Sequence, residues 1–185
     1  MIKQIYAETE EKMKKAVEVL SRELASTRTG KATTALLDGI RVDYYGSHVP
    51  LNQVASLSVP EHRLLVIQPW EKNLIPEITK AIQKSELGLT PNTDGNVIRL
   101  PIPPLTEERR RDLVKHVKKL AEESKIALRN IRRDANEHLK KAKTDKKISE
   151  DDEKHAEKHV QELIDKYIEA VDKLIKQKEV EIMEV

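Results

Sequence analysis

The side chains with the clearest chemical potential lie in one stretch, IALRNIRRDANEHLKK, at residues 126–141. It holds Arg129, Arg132 and Arg133 with no acidic residue between them, although the formal net charge of the whole chain is only +2. The planar guanidinium of arginine can donate two parallel hydrogen bonds to a phosphate group. A helical wheel places these arginines with several lysines on one side of a long helix, so that this basic face is predicted to point away from the apolar core. The basic residues on that side are Lys118, Lys125, Arg129, Arg132, Arg133 and Lys140.

Two interpretations of this basic face are open. In the first, the face is only solvated, and its charges form ion pairs with acids one helical turn away. In the second, it contacts the phosphates of structured RNA, so that shape and charge determine binding. Base stacking is disfavoured because the long helices offer only Tyr6 and Tyr167, both on apolar faces. The alternatives to a specific RNA partner are a coiled-coil adaptor and a general structured-RNA-binding protein.

Catalytic, metal and nucleotide sites are not indicated by the sequence. His155 and His159 are one helical turn apart, but HAEKH lacks the glutamate that follows the first histidine in metalloprotease helices, and no third ligand is evident. Neither GxxxxGK[ST] nor GxGxxG occurs, so no loop is expected to cradle a nucleotide phosphate. GxSxG and cysteine are also absent. We expect a protein that is not an enzyme and that holds no metal or cofactor of its own.

Composition favours long, solvated elements over a large globular core. Charged residues make up 36% of the 185 residues, against roughly 25% in ordinary soluble domains, and there is no Phe and one Trp. The longest apolar run, Leu64–Ile67, is far shorter than the ~20 residues of a membrane helix. The N-terminus lacks the apolar segment of a signal peptide. We therefore expect a cytoplasmic protein with no membrane segment.

Three long helices are predicted from apolar residues that recur at steps of three, four or seven. The first helix runs to about residue 29, the second starts after an N-cap at Thr106, and the third starts at a cap formed by residues 149–152. Because one amphipathic helix cannot bury its own apolar face, the three are expected to pack as a bundle. The fold class is α+β, with residues 1–29 and 106–185 forming the three-helix bundle.

Residues 30–105 are expected to form a small α+β domain inserted between the first and second helices. All eight prolines lie there, and short β-branched or aromatic stretches alternate with turn residues. The stretches predicted to be strands are GIRVDYYG, SHVPL, VASLSVP, HRLLVIQP and GNVIRLPI. NLIPEITKAIQKSEL is predicted to be its helix. The two connections, near residues 29–32 and 101–105, are expected to act as a hinge that includes Gly30, Pro103 and Pro104.

The small net charge conceals an uneven distribution. Residues 105–145 carry thirteen Lys/Arg and eight Asp/Glu, a net of +5, whereas residues 149–185 carry six and twelve, a net of −6. The second helix is therefore basic and the third acidic. We expect the acidic helix to limit indiscriminate binding to RNA.

Several long motifs of the chain resemble the ribosome recycling factor family. They are LLDGIRVDYYG, SELGLTPNTDGNVIRLPIPPLTEERRRDLVK, LRNIRRDANEHLKK and ISEDDE. The resemblance implies an L-shaped molecule in which a small β/α/β domain joins the three-helix bundle, and the protein is expected to be a monomer. It also implies that the protein splits post-termination ribosomes with elongation factor G, that the bundle contacts large-subunit ribosomal RNA, and that GTP is used only by the factor.

The resemblance also carries specific residues. It implies RNA contacts by Arg129, Arg132 and Arg133, of which Arg132 ranks first. Arg110 and the pair flanking the hinge glycine, Arg28 and Lys31, are further candidates. The family usually has a second arginine at position 31, so Lys31 keeps the charge but lacks the guanidinium.

Three aromatic residues of the inserted domain raise separate expectations. Tyr44 and Tyr45 should point to opposite faces of a strand, so that one is in the core and the other is exposed. The sequence does not indicate which is which. Trp70 is expected to be partly buried, and no function is assigned to it.

Overall fold

The computed structural model describes residues 1–184. Helices and strands alternate only in the middle of the chain, and the longest helices lie at its two ends. In chain order they are α1 (Ile2–Ala25), β1 (Arg41–Tyr44), β2 (Ser47–Pro50), β3 (Ala55–Glu61), β4 (Leu64–Pro69), α2 (Ile75–Lys84), β5 (Asn92–Asp94), β6 (Val97–Pro101), α3 (Glu107–Thr144) and α4 (Glu150–Met183). The predicted α+β class is confirmed. None of these helices is both long and apolar enough to cross a membrane.

The chain divides into two compact units. The first contains residues 1–24 and 112–181, and the second contains residues 25–111 together with the C-terminal residues from Ile182 onward. The inserted domain predicted at 30–105 lies within the second unit.

The first unit is a helical bundle of α1, α3 and α4. Apolar residues from the predicted helix faces are fully or nearly fully buried, among them Met13, Leu128 and Val160. One cluster joins Leu139 of α3 to Val160 of α4, and Ile5 of α1 packs against it. Burying apolar faces against one another is what stabilises these charge-rich helices, since each is polar over the rest of its surface.

Both predicted helix caps form. The backbone N–H of Arg109 donates to Thr106 Oγ1 at 3.1 Å, which caps α3. At the start of α4, the N–H of Asp152 donates to Ser149 Oγ at 3.0 Å, and the N–H of Ser149 donates to Asp152 Oδ2 at 3.1 Å. This reciprocal pair is a capping box with aspartate in the usual glutamate position.

The C-terminus of α3 ends in a Schellman motif that the sequence did not reveal. The N–H of Lys147 donates to the carbonyl of Ala142, and the N–H of Lys146 donates to that of Lys143, each at 2.9 Å. Lys146 occupies the left-handed position with a φ of 59°, where glycine is the usual residue. A lysine there gives no sequence signal for the turn that joins α3 to α4.

We expect the α4 capping box to lose its stabilising effect in acid. Hydrogen bonds from the backbone and side chain of Ser149 hold the pKa of Asp152 below its ordinary value of 3.8. A lowered folded-state pKa stabilises the protein above the unfolded value, and this stability is lost as the pH falls through the folded value. Replacing Ser149 with Ala should lower the free energy of unfolding by about 1 kcal/mol at neutral pH. Urea unfolding at a series of pH values measures both effects.

Asp151→Asn is the matched control for Asp152→Asn, because Asp151 is exposed and adjacent but lies outside the cap hydrogen bonds. At neutral pH, Asp152→Asn should destabilise the protein more than Asp151→Asn. The difference in the free energy of unfolding between the two variants should vanish well below pH 3.8. Equal unfolding curves for both variants at neutral pH would show that the box contributes nothing beyond its charge.

The second unit contains two antiparallel sheets and α2. β1 and β2 form a hairpin, and the other strands form a sheet in the order β3-β4-β6-β5. The helix and the strands predicted around it are confirmed, whereas β5 and three short 3-10 segments were not foreseen. The core of the second unit includes Val42, Ile67, Ile78 and Leu100, each fully buried. This core is separate from that of the bundle, so the small domain has its own source of hydrophobic stability.

The two connecting segments meet at Gly30, within the second unit. Gly30 has a φ of 86°, and a Cβ added there would lie 3.2 Å from Leu105 Cγ. Just beyond this contact, the N–H of Ala32 donates to the carbonyl of His62, and the N–H of Ile102 donates to that of Arg63. Hydrogen bonds to the β3–β4 turn therefore fix the first connecting segment from residue 32 onward and the second one up to residue 102. Gly30, Pro103 and Pro104 take no part in these bonds.

Candidate nucleic-acid interface

The most exposed arginine of the basic face is Arg133. Its side chain is 67% exposed, and its only ion pair within residues 1–184 is a long contact of 3.9 Å from Nε to Asp134 Oδ1. Arg129 lies one turn earlier and is 43% exposed, with Nη2 2.6 Å from Glu122 Oε1. A surface ion pair of this kind contributes little to stability, so a phosphate can compete for Arg129 at small cost.

Arg132 lies on the edge of α3 that faces α4. Its side chain is half-buried, and Nη1 donates to Gln161 Oε1 at 3.1 Å. Gln161 is fixed in turn by donating through Nε2 to Asp165 Oδ1 at 2.9 Å. The guanidinium is thus oriented by a chain of hydrogen bonds along α4, and its remaining N–H groups are left to donate elsewhere.

The prediction that the whole basic face points away from the bundle is wrong for Lys125. Its side chain is only 27% exposed, and Nζ lies 2.8 Å from Asp172 Oδ1 of α4. Further along, Lys143 of α3 pairs with Glu153 of α4 at 3.4 Å. The acidic helix therefore neutralises one edge of α3, a pairing that a wheel for one helix cannot show. Lys118 and Lys140 remain exposed, with no ion pair among residues 1–184.

Arg28, Lys31 and Arg110 belong to the other compact unit. Lys31 is exposed and pairs with Glu184 at 3.0 Å. Arg28 and Arg110 are half-buried, and Arg110 Nε is a buried donor without a hydrogen-bond acceptor among the described residues. An unsatisfied buried donor costs free energy in a folded protein, and in this conformation the Nε of Arg110 is not accessible to an external phosphate.

Comparisons with known proteins identify the family. The family model described as ribosome recycling factor matches residues 20–183. The chain belongs to the ribosome recycling factor family. It is 59% identical over 185 residues to the ribosome-recycling factor of Halalkalibacterium halodurans and 58% identical to that of Symbiobacterium thermophilum, with 100% of each chain covered.

Solved structures of ribosome recycling factors have the same fold. A solution structure of the ribosome recycling factor matches with a TM-score of 0.84 and 49% identity, over 100% of this chain and 98% of that one. A second match, with a TM-score of 0.69 and 48% identity over 99% of each chain, comes from models for the T. thermophilus ribosome recycling factor and the E. coli elongation factor G bound to the E. coli post-termination complex. Members of this family are non-enzymatic translation factors.

Tyr6, His159 and Tyr167, which were considered above for stacking or metal binding, take part in contacts within the bundle. No group of three or more His, Cys, Asp or Glu able to hold a metal occurs within residues 1–184. The ring of His159 packs against Tyr6, with centroids 4.0 Å apart. The hydroxyl of Tyr167 donates to Glu10 Oε1 at 3.1 Å, and burial raises the pKa of this phenol. Both tyrosines therefore serve the packing of the bundle.

The inserted domain presents aromatic side chains that the sequence located only in part. The expectation that Tyr44 and Tyr45 point to opposite faces of a strand is wrong, because β1 ends at Tyr44, Tyr45 lies in the following turn with a φ of 51°, and both hydroxyls donate to Glu71. Tyr44 is half-buried and packs on the core, whereas Tyr45 is 76% exposed. Partial burial of Trp70 was a wrong expectation, since its side chain is 66% exposed. Trp70 follows the last residue of β4 and is anchored through its backbone N–H to the carbonyl of Val54. In the sequence, Trp70 is the single Trp and follows a proline, and this pattern does not indicate whether its side chain is buried or exposed.

Proposed function

We propose that the protein splits post-termination ribosomes into subunits together with elongation factor G, and that the basic face of α3 binds large-subunit ribosomal RNA. The arginine cluster supports the RNA contact, because Arg133 is exposed and Gln161 orients the guanidinium of Arg132. Orienting a guanidinium before binding reduces the side-chain entropy lost on contact with phosphate. GTP is used by the factor, so this chain needs no cofactor.

Three further basic residues are proposed as secondary RNA contacts. Arg110 is one of them and lies in the first turns of α3. Arg28 and Lys31 flank the hinge glycine. Lys31 must exchange its pair with Glu184 for a phosphate, which is a small cost at an exposed position.

We propose that residues 29–32 and 101–105 form a hinge that lets the inserted domain move when the factor acts. Gly30 supplies a positive φ that other residues adopt only with strain. Pro103 and Pro104 have no N–H and cannot join the backbone bonds that hold Ile102. The inserted domain is proposed to meet the factor, with Tyr45 as the exposed tyrosine at that contact. The protein is proposed to act as a cytoplasmic monomer.

Sedimentation with purified large ribosomal subunits tests the RNA contact. We expect the protein to sediment with the subunits at low salt and to dissociate as salt increases. Three phosphate contacts correspond to a slope of about −2 to −3 in a plot of log affinity against log salt concentration. A coiled-coil adaptor would not sediment with the subunits at any salt concentration. Affinity that is independent of salt would contradict an interface based on phosphates.

A further inference from the structure

Aromatic side chains are scarce in this chain, yet most of them gather on one surface of the inserted domain. The chain has four Tyr, one Trp and no Phe. Tyr44, Tyr45 and Trp70 lie within the second unit, and both Tyr45 and Trp70 are largely exposed. The rings of Tyr44 and Tyr45 meet edge to face, with centroids 4.6 Å apart. Exposed aromatic rings in a protein with so few of them point to a binding surface.

Tyr44 and Trp70 line a cleft with a volume of about 170 Å³. This is smaller than the roughly 300–1,000 Å³ of sites that bind whole small molecules, and it suits the end of one side chain. The floor and walls are mainly apolar, and one carboxylate lies among them. The lining residues are Tyr44, Val49, Gln53, Val54, Trp70, Glu71 and Leu74.

The carboxylate of Glu71 is held in place without being neutralised. The hydroxyl of Tyr44 donates to Oε1 at 3.2 Å, and that of Tyr45 donates to Oε2 at 3.3 Å. The hydrogen bond to Glu71 raises the pKa of Tyr44, as expected for a phenol that donates to a carboxylate. No Lys, Arg or His nitrogen in the described part of the chain forms an ion pair with Glu71, although many other surface carboxylates have one.

We propose that this cleft is a docking site for an arginine or lysine side chain of a protein partner. A cation in the cleft is attracted both by the indole and phenol rings, through cation–π interactions, and by the fixed carboxylate of Glu71. The two tyrosine hydroxyls keep Glu71 in position, so little conformational freedom is lost on binding. The inference rests on the proposed function only in taking the partner of the inserted domain to be a protein.

The charge around the cleft disfavours single-stranded RNA as the occupant. RNA could stack a base on Trp70, but its phosphates would then approach the unneutralised charge of Glu71. Asp43 is also exposed on the adjacent hairpin, where its Oδ1 accepts from the N–H of Gly46. Residues 30–104 carry seven basic and seven acidic residues, so this domain lacks the positive excess of α3.

Titration of the full-length, ¹⁵N-labelled protein with short capped peptides tests the proposal by NMR. One peptide contains a central arginine, and a matched peptide contains citrulline, which has a similar shape and no charge. We expect saturable shifts of the amides of residues 44–46 and 70–71 with the arginine peptide and little response to citrulline. Glu71→Gln should weaken arginine binding about fivefold or more. Trp70→Leu should weaken it about two- to fivefold.

Glu77→Gln is the matched control, since Glu77 is an exposed glutamate of α2 that does not line the cleft. This variant should bind the arginine peptide as the wild type does. Equal binding of the citrulline peptide, or unchanged binding by Glu71→Gln, would overturn the proposal. Tighter binding of a single-stranded hexanucleotide than of the arginine peptide at these amides would also overturn it. Because no ribosome is present, failure here is distinguishable from failure to sediment with large subunits.

Discussion

Arg132→Glu should greatly weaken binding to the large ribosomal subunit while the protein stays folded. The substitution removes one charged hydrogen-bond donor to phosphate, worth about tenfold in affinity or more, and adds a repelling charge. The salt dependence should become shallower by about 0.7–0.9 in the log–log slope, as for one lost phosphate contact. Loss of the Arg132–Gln161 bond should lower the free energy of unfolding by no more than about 1 kcal/mol. Thermal melting and subunit sedimentation of the same samples measure both quantities.

Three companion variants make this result specific. Arg132→Lys should bind with an intermediate affinity, because it keeps the charge but loses the bidentate geometry. Arg133→Glu should also weaken binding, and with less effect on melting because the ion pair of Arg133 with Asp134 is long, at 3.9 Å. Lys173→Glu carries the same charge change on α4, where Lys173 is 74% exposed and pairs with Glu169. If Arg132→Glu were strongly destabilised yet bound subunits normally, Arg132 would be a packing residue and not an RNA contact.

Gly30→Val should impair ribosome splitting much more than ribosome binding. Valine at a φ of 86° is strained, and its Cβ would lie 3.2 Å from Leu105 Cγ. Strain of about 1–3 kcal/mol is enough to change the ratio of two conformers by roughly five- to 150-fold. We therefore expect a changed distribution of inter-domain distances with helical content preserved. Adding Pro103→Gly should broaden that distribution further, because it removes a restriction on the return segment.

Paired spin labels on this chain measure the distribution directly. The protein has no cysteine, so Lys80→Cys and Lys158→Cys, at exposed positions of α2 and α4, accept labels at defined sites. Gly39→Val is the matched control, because Gly39 lies in the same domain with nothing within 4 Å of its added Cβ. The control should give the wild-type distances and splitting rate. Identical distances for Gly30→Val and the wild type would refute a hinge at this residue.

The sequence by itself determined the elements and the family. Apolar periodicity located the long helices, and Thr106 and Ser149 marked their starts, because helix capping depends on a few adjacent residues. The segments of β1 and β2 and the helix α2 were also predicted, whereas β5 and the Schellman turn at Lys146 were missed. The turn was missed because lysine rarely adopts a positive φ, so a lysine at this position does not indicate a Schellman motif.

Only the tertiary structure decided the environment of each charged or aromatic side chain. Lys125 was assigned to the solvent side of α3, but it forms an ion pair with Asp172, which lies 47 positions further along the chain. Arg132 is oriented by Gln161 of another helix, while Arg133 beside it stays exposed. Similarly, Glu71 joins two tyrosines from the β1–β2 hairpin, which no local pattern indicates. Such partners depend on how separate elements pack, and packing is set by long-range burial of apolar surface that no single segment encodes.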